Sequence, residues 1–152
     1  IDGKMKISSI KDLKKISINI KKKLLPGDCV FLYGEIGVGK TTFARTLINE
    51  FENENKLVIS EVLSPTFNIV FEYDIRGFTI KHYDLYRLKN KSDIKNLGLF
   101  ENQINNITLV EWPELINKKP INRMDIFFKY TEDMNERFLT IKTFGRLKFN
   151  EF

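Results

Sequence analysis

The chain has 152 residues, of which 42% are hydrophobic and 12% aromatic, so it is large and apolar enough to bury a core as one domain. Its net charge of +5 fits either a plain lysine-rich surface or a surface that attracts polyanions. The single cysteine excludes an internal disulfide and a Cys-based metal cluster, and the sequence lacks the run of about 18 to 20 apolar residues that a membrane span needs.

The first predicted element is a helix that begins after Ser8 and Ser9, whose hydroxyls suit a helix N-cap, and runs to about Leu24. Its apolar face is formed by Ile10, Leu13, Ile16, Ile20 and Leu24, which recur at helical spacing. The pair Pro26-Gly27 ends the helix and opens a turn.

The domain organisation is predicted to be simple. No segment rich in Pro, Gly or Ser divides the chain, so we expect one domain over residues 1–152. Residues 1–7 are expected to be flexible or in part foreign to the native protein, with Met5 as a plausible native start. Since no apolar signal segment is visible, the expected location is the cytoplasm, with no membrane partner.

A short apolar strand, a glycine-rich loop and a second helix are predicted next. Residues 28–33 have the composition of a buried strand, residues 34–39 contain three glycines, and residues 40–51 have a helical apolar face. A strand followed at once by a glycine loop and a helix is the order that a phosphate-binding loop requires.

The rest of the chain is predicted to add further strands to the sheet. These strands are expected at residues 69–73, 78–83, 107–110, 124–130 and 137–144. The turn at residues 74–77 indicates a hairpin, whereas Pro113 prevents the third of these strands from continuing as a central strand. Because helices are too few for a doubly wound parallel sheet, the predicted fold class is α/β, a P-loop NTPase-like three-layer sandwich with a small mixed parallel and antiparallel sheet.

The glycine loop carries the strongest functional signal. It reads Gly34-Glu35-Ile36-Gly37-Val38-Gly39-Lys40-Thr41, which is Gly, four residues, Gly, Lys and Thr. Glycines let successive N–H groups point inward around anionic phosphates, and the positive N-terminal end of the following helix adds to that attraction. Lys40 is expected to reach the β and γ phosphates, and Thr41 to offer its hydroxyl to Mg²⁺. The flanking strand and helix make an incidental glycine turn the weaker interpretation.

A carboxylate on the metal side is expected at the end of another buried strand. Glu111 follows the apolar run at residues 107–110 and has that placement, although an ordinary surface glutamate at a strand end is the alternative. Its longer side chain favours contact with Mg²⁺ through water. Trp112, the only tryptophan, follows directly and either packs near the nucleotide or belongs to the core.

Residues that orient a water against the γ-phosphate are sought among the remaining polar groups. Asp84 stands at a strand end, between His82 as a hydrogen-bond partner and Arg87 as a charge that offsets phosphate or binds a partner. Thr66, in the rigid loop at residues 64–67, is a candidate sensor of the γ-phosphate. Each of these residues taken alone is more often structural, because an isolated Asp after a strand is usually a turn or cap residue.

Four segments together resemble the bacterial ATPase family of tRNA threonylcarbamoyladenosine biosynthesis, the TsaE type. The segments are Gly34–Thr42, Ser64–Phe67, His82–Leu88 and Leu109–Glu114. They match the family's G-x-x-G-x-G-K-T-T, S-P-T-[FY], H-x-D-L-Y-R-L and L-V-E-W-P-E patterns in the expected order. The resemblance covers roughly residues 8–145 and shows no departure within these segments.

The resemblance implies a magnesium-dependent ATPase with ATP and Mg²⁺ as ligands. It would act with two partner subunits, a catalytic transferase and its paralogous non-catalytic companion, which make threonylcarbamoyladenosine at position 37 of tRNA. ATP binding would favour assembly of that complex and hydrolysis would reset it, slowly in the isolated chain and faster with the partners. Contact with tRNA would be indirect if the chain makes any.

The resemblance also assigns roles to residues. Catalytic roles fall on Lys40, Asp84 and Thr66. Nucleotide binding falls on Gly34, Glu35, Ile36, Gly37, Val38, Gly39, Lys40, Thr41, Thr42 and Trp112. Metal binding falls on Thr41 and Glu111. Residues 89–106 match no family pattern, which leaves the partner-facing surface undefined.

Three other functions remain open from the sequence. A small P-loop kinase would need a phosphoryl acceptor pocket and an arginine-bearing lid, which the sequence does not display. A non-hydrolysing nucleotide-binding assembly module would share the loop but would not depend on Asp84. A basic RNA-binding protein with an incidental glycine loop would keep its RNA affinity in a Lys40→Ala variant.

Overall fold

A seven-stranded mixed sheet forms the centre of the computed structural model, which describes residues 3–149. The strands are β1 (Gly3–Ile7), β2 (Cys29–Tyr33), β3 (Val70–Ile75), β4 (Phe78–Asp84), β5 (Asn106–Glu111), β6 (Arg123–Tyr130) and β7 (Arg137–Phe144). The helices are α1 (Ile10–Lys23), α2 (Lys40–Glu54) and α3 (Lys91–Asn96). The strand order is β1-β7-β6-β2-β5-β4-β3.

The two long helices begin and end where the sequence predicts. The Ser9 hydroxyl accepts a hydrogen bond from the Asp12 N–H, so it caps α1, and Lys21, Lys22 and Lys23 lie in the last turn, where cations favour a helix C-terminus. Helix α2 begins at Lys40, directly after the glycine loop. The predicted helix positions are therefore confirmed, with α2 three residues longer than expected.

The four central strands run in the same direction. Strand β2 pairs in parallel with both β5 and β6, and β4 pairs in parallel with β5. The antiparallel strands lie outside them, with β3 on one side and β7 and β1 on the other. Since the carboxyl ends of parallel strands meet at one edge of a sheet, the residues that follow β2, β4 and β5 are brought together there.

Two apolar clusters fill the space on either side of the sheet. The first joins α1 and α2 to one face through residues such as Ile20, Phe43, Leu47, Leu109 and Ile126. The second packs α3 and nearby loops on the other face through residues such as Phe31, Tyr83, Val110, Ile94 and Leu99. Helices on both faces of one mixed sheet make the three layers that were predicted.

Two parts of the chain differ from the prediction. Residues 3–7 are not flexible but form strand β1, because their backbone pairs antiparallel with residues 137–141 of β7. Ile1 and Asp2 lie outside the described residues. The unfamiliar segment at residues 89–106 contains α3 and a 3₁₀ turn at Gln103–Asn105. Both elements are too short to show a helical period in the sequence. Among residues 3–149, no helix combines the length and the apolar character needed to cross a membrane.

Candidate functional site

The glycine loop joins β2 to α2 in a conformation that depends on the first glycine. Gly34 has a φ of 151°, and a Cβ at this position would lie 2.8 Å from Val38 Cγ1 and 3.0 Å from the Phe128 carbonyl oxygen. An alanine at this position would therefore strain the backbone and collide with neighbouring atoms. Close packing of the loop on β6 thus explains why glycine is required at residue 34.

Two residues near the ends of β6 and β7 support the loop from outside. The Tyr130 hydroxyl donates a hydrogen bond to the Gly37 carbonyl oxygen at 2.9 Å, and Arg137 Nε donates to the Val38 carbonyl oxygen at 3.2 Å. The Arg137 guanidinium also lies over the Tyr130 ring, 4.8 Å from its centre. These residues were missed by the sequence reasoning because they are about a hundred positions away from the loop and belong to no local motif.

Lys40 is almost completely buried, with 5% of its surface exposed. Its ammonium donates to the carbonyl oxygens of Gly34 and Glu35 and lies 3.9 Å from the centre of the Trp112 ring. Burial lowers the pKa of Lys40, and nearby carboxylates, Glu111 foremost, oppose that change. The ammonium is therefore held against the loop in a cluster of acceptors rather than extended into solvent.

Glu111 ends β5 and connects three of the candidate residues. Thr41 Oγ1 lies 3.0 Å from both carboxylate oxygens, and His82 Nε2 lies 2.6 Å from Oε2. Because an ionised carboxylate only accepts hydrogen bonds, the His82 Nε2–H is the donor in this contact. The His82 side chain is fully buried, and within residues 3–149 its Nδ1 has no hydrogen-bond partner. The contact with Glu111 is thus the interaction that sets the orientation of the imidazole ring.

Trp112 follows Glu111 in a left-handed backbone conformation, with φ of 59° and ψ of 57°. This conformation is uncommon for a residue with a large side chain, and such residues occur often at functional sites. It turns the chain so that the ring packs against Lys40 and against Tyr86, whose ring centre is 4.9 Å away. Trp112 therefore packs against Lys40 at the end of the glycine loop and is only partly buried against the second apolar cluster.

Asp84 ends β4 beside Glu111, its partner in the parallel register. Asp84 Oδ2 accepts hydrogen bonds from Thr66 Oγ1 at 2.7 Å and Ser64 Oγ at 3.2 Å, and Oδ1 accepts from the Tyr86 N–H at 3.0 Å. An Asp at the end of a strand often forms a turn by accepting a hydrogen bond from the N–H two residues later, and Oδ1 of Asp84 does so. Its Oδ2 connects the carboxylate to the loop at residues 64–67. Asp84 thus has a structural contact and a second oxygen that faces hydroxyl groups.

One cavity of about 370 Å³ collects most of the predicted residues. Its lining consists of Ile36, Gly37, Gly39, Lys40, Thr41, Thr42, Ser64, Thr66, Asp84, Tyr86, Glu111 and Trp112. Gly34 and Glu35 contribute backbone carbonyls instead of surface to this cavity, and Val38 lines the neighbouring cavity. Arg87 lies outside the cavity, with its guanidinium 5.0 Å from the centre of the Phe67 ring.

A second cavity of about 290 Å³ adjoins the first and shares Gly39 and Thr42 with it. Apolar residues such as Ile10, Leu13 and Phe128 form much of its wall, and Ser8, Ser9, Asn135 and Arg137 add polar groups. This cavity was not predicted from the sequence, because its walls come from the start of α1, the glycine loop and the hairpin of β6 and β7. The two cavities lie side by side at Gly39 and Thr42.

Comparisons with known proteins identify the family of this chain. Residues 7–139 match the family model of the threonylcarbamoyl adenosine biosynthesis protein TsaE. Curated proteins named tRNA threonylcarbamoyladenosine biosynthesis protein TsaE are 42% identical in Rickettsia conorii over 110 residues, 38% identical in Rickettsia bellii over 128 residues and 36% identical in Bacillus subtilis over 124 residues. These matches cover 72%, 84% and 79% of this chain and 61%, 86% and 72% of the relatives.

This chain spans less than two thirds of the length of the Rickettsia conorii relative. Among solved structures, the crystal structure of Bacillus subtilis YdiB is 28% identical, with a TM-score of 0.71, and the match covers 95% of this chain and 87% of that one.

Proposed function

The chain belongs to the TsaE family of tRNA threonylcarbamoyladenosine biosynthesis proteins, and we propose that within that system it is a magnesium-dependent ATPase. The observation that carries this proposal is the convergence of the glycine loop, Lys40, the Thr41–Glu111 pair and the Thr66–Asp84 pair on one cavity. Catalysis of phosphoryl transfer requires a cation on the phosphates, a carboxylate that holds the metal ion and a group that orients the attacking water.

The phosphates would lie against the glycine loop and the N-terminus of α2. N–H groups of the loop and the positive end of the helix favour a polyanion at this position. The Lys40 ammonium, which donates to two loop carbonyls, would exchange those acceptors for phosphate oxygens. Because Lys40 is buried, its charge is weakly screened and its attraction for phosphate is strong.

The residues on the metal side fit Mg²⁺. This ion prefers oxygen ligands and usually keeps several waters while it binds one or two protein oxygens and the substrate phosphates. Thr41 Oγ1 and the Glu111 carboxylate are 3.0 Å apart at the edge of the cavity, so the hydroxyl would bind the ion and the carboxylate would hold one of its waters. When bound, Mg²⁺ would neutralise charge on the phosphates. His82 would keep Glu111 oriented toward Thr41.

Asp84 would orient the attacking water. Its Oδ2 accepts from Thr66 and Ser64, two hydroxyls that a terminal phosphate would also attract. A rearrangement of Thr66 toward that phosphate would free Oδ2 to accept a hydrogen bond from water. In this way the loop at residues 64–67 would report the presence of the γ-phosphate to the carboxylate that acts in hydrolysis.

The nucleoside would lie in the second cavity. That cavity meets the phosphate loop at Gly39 and Thr42, and its apolar wall and polar rim suit a flat base. Adenine as the base, two threonylcarbamoyl-transfer subunits as partners and a cytoplasmic location all follow from family membership and belong to this proposal. ATP binding would favour assembly with the partners and hydrolysis would release them.

A second candidate function is supported by one contact. The bond between Asp84 Oδ1 and the Tyr86 N–H is the bond that a purely structural turn would make. A nucleotide-binding assembly module that does not hydrolyse ATP would need Asp84 only for this turn. The two functions therefore differ in what an Asp84 variant does to turnover.

Nucleotide binding can be followed through Trp112, the only tryptophan, whose ring lines the cavity. Titration with ATP and Mg²⁺ is expected to change its emission in the parent protein. Lys40→Ala is expected to weaken ATP binding at least about tenfold, because it removes a charge-assisted contact with phosphate. Lys22→Ala, an exposed position on α1, serves as the control. Equal affinity in the two variants would overturn the assignment of the phosphate site.

Hydrolysis is measured at steady state, with the chain alone and with the two candidate partners added. Asp84→Ala is expected to bind ATP like the parent and to lose about 100-fold or more in turnover, as expected for loss of a group that positions the attacking water. A variant that binds and hydrolyses normally would reduce Asp84 to its turn contact. Turnover that is absent from the parent protein, alone and with both partners, would favour the assembly module.

A further inference from the structure

One face of the sheet has a basic and aromatic surface at the end remote from α3. Side chains that alternate along β1, β6 and β7 point away from α1 and α2, and the second apolar cluster contains no residue from these strands. Lys4, Tyr33, Phe127, Lys129, Phe138 and Lys142 lie on this surface, which we call the open face. The lysines are exposed and the aromatic rings are partly exposed.

The register of the strands arranges these residues in rows across the sheet. One row crosses four strands, with Lys4 opposite Thr140, Thr140 opposite Phe127 and Phe127 opposite Tyr33. In the next row Phe138 lies opposite Lys129. Side chains directly opposite each other on adjacent strands are neighbours on one face. Aromatic rings and ammonium groups are therefore interleaved on the open face.

The charge of this face is balanced only in part, because Asp125 lies opposite Lys142 in the strand register and attracts its ammonium group. Arg123 pairs with Asp125 at 3.1 Å, and on β1 Lys6 pairs with Glu136 at 3.0 Å. Within the part of the chain that the structure describes, no carboxylate lies within ion-pair distance of Lys4, Lys129 or Lys142. Three ammonium groups on one sheet face thus remain available to an anionic partner.

The aromatic groups are held in place beneath these cations. The rings of Tyr33 and Phe127 stack with centres 4.6 Å apart and planes 12° apart. The Lys142 ammonium lies 5.7 Å from the Phe127 ring centre, and the Lys4 ammonium lies 4.5 Å from that of Phe138. A flat base could displace each flexible lysine from its ring, and the lysine would then turn toward the adjacent phosphate.

We propose that the open face binds a single-stranded segment of RNA, by base stacking on Phe127 and Phe138 and by phosphate contacts with Lys4, Lys129 and Lys142. Charge complementarity alone would also suit an acidic protein, but an acidic protein makes no use of rings interleaved with the cations. Sheet faces that carry exposed aromatic residues and flanking cations are a common solution for unpaired RNA. The relatives of this chain act in tRNA modification, so RNA is the expected source of such a strand.

The test measures the anisotropy of a fluorescein-labelled oligouridylate as the full-length protein is added over a range of salt concentrations. The variant Lys4→Gln/Lys129→Gln/Lys142→Gln removes the three charges, and Lys11→Gln/Lys15→Gln/Lys22→Gln removes three exposed charges from α1 as the matched control. Each phosphate contact with a single strand contributes about 0.7 to the slope of log K against log salt, so loss of three contacts lowers the slope by about 2. At about 0.1 M salt this change equals a loss of about 100-fold in RNA affinity. The control is expected to keep the parent slope.

A second variant separates stacking from charge. Phe127→Leu keeps an apolar side chain and is expected to lose about fivefold or more in RNA affinity with an unchanged salt slope. ATP binding, followed by Trp112 emission, is expected to stay at the parent level in all three variants, because none of their substitutions lies in the nucleotide cavities. This readout separates the RNA proposal from the proposed ATPase function.

Two outcomes would overturn the proposal. In the first, the open-face variant loses no more RNA affinity than the α1 control, so the binding is diffuse attraction to a basic protein. In the second, polyglutamate binds as tightly as the oligouridylate and Phe127→Leu leaves RNA affinity unchanged. That result would assign the face to an acidic protein partner.

Discussion

Replacing His82 with alanine is expected to weaken the proposed magnesium site while the proposed nucleotide cavity stays intact. His82 is fully buried, and its Nε2 donates to Glu111 Oε2 at 2.6 Å, on the side of the carboxylate next to Thr41. A hydrogen bond to a charged group contributes about 1.5 to 3 kcal/mol, which equals about 10- to 150-fold in an equilibrium constant. Loss of a residue that orients a metal ligand typically costs metal affinity by about 10- to 100-fold.

Two substitutions make this prediction specific to one nitrogen atom. The side-chain amide of Gln can reach the position of the imidazole Nε2, whereas that of Asn reaches only the position of Nδ1. Among the residues that the structure describes, Nδ1 of His82 has no hydrogen-bond partner whereas Nε2 has Glu111, so His82→Gln is expected to keep magnesium affinity within a few fold of the parent. His82→Asn is expected to behave like His82→Ala.

The assay is a titration of Mg²⁺ at fixed ATP, followed by Trp112 emission, with a second titration of ATP in the presence of EDTA. The half-saturating Mg²⁺ concentration is expected to rise about 10- to 100-fold in His82→Ala, while ATP affinity without metal is unchanged. Thermal unfolding of each variant controls for loss of the fold. The reasoning is refuted if the alanine variant keeps the parent magnesium dependence, or if Asn restores it as well as Gln.

Two further predictions concern the loop and the core. Gly34→Ala is expected to destabilise the protein by about 1 to 3 kcal/mol more than Gly77→Ala in thermal unfolding, since both glycines have positive φ but only Gly34 would place a Cβ against Val38 and Phe128. Burial raises the pKa of Cys29 from 9.0 to about 12, so the thiol ionises at lower pH in the unfolded chain than in the folded protein. The contribution of the buried thiol to the free energy of unfolding is therefore complete below pH 9 and is lost as the pH rises toward 12. The stability difference between the parent and Cys29→Ala should therefore fall by about 2 kcal/mol between about pH 9 and 11 in urea unfolding; an unchanged difference would contradict the raised pKa.

The parts of the fold that the sequence predicts correctly are those with a local cause. The N-cap of α1 at Ser9, the hairpin turn before Phe78 and the strand before the glycine loop each depend on residues a few positions apart. Strand β1 was missed although its residues alternate as in a half-buried strand, because five residues are a weak signal and only the pairing with β7 shows that they form an edge strand. Six-residue α3 is likewise too short for its periodicity to be recognised.

The candidate site divides in the same way. Lys40 and Thr41 follow the glycine loop in sequence, so the spacing of one motif places them, and Glu111 is placed by the end of a strand. The supports of the site have no such signal. Tyr130 and Arg137 hold the loop from the far end of the chain, and neither residue type indicates that role by itself.

The open face is the clearest case of a feature that composition alone could not predict. A net charge of +5 does not distinguish scattered lysines from lysines on one surface, and no segment of the chain reads as a basic and aromatic motif. Lys4, Phe127 and Lys142 are distant in sequence, and the order β1-β7-β6-β2 is what makes them neighbours. This face and the second cavity also share a strand, because β6 contributes Phe127 to the open face and its next residue, Phe128, to the wall of that cavity. Consecutive residues of a strand point to opposite faces, so one stretch of β6 backbone supports both surfaces.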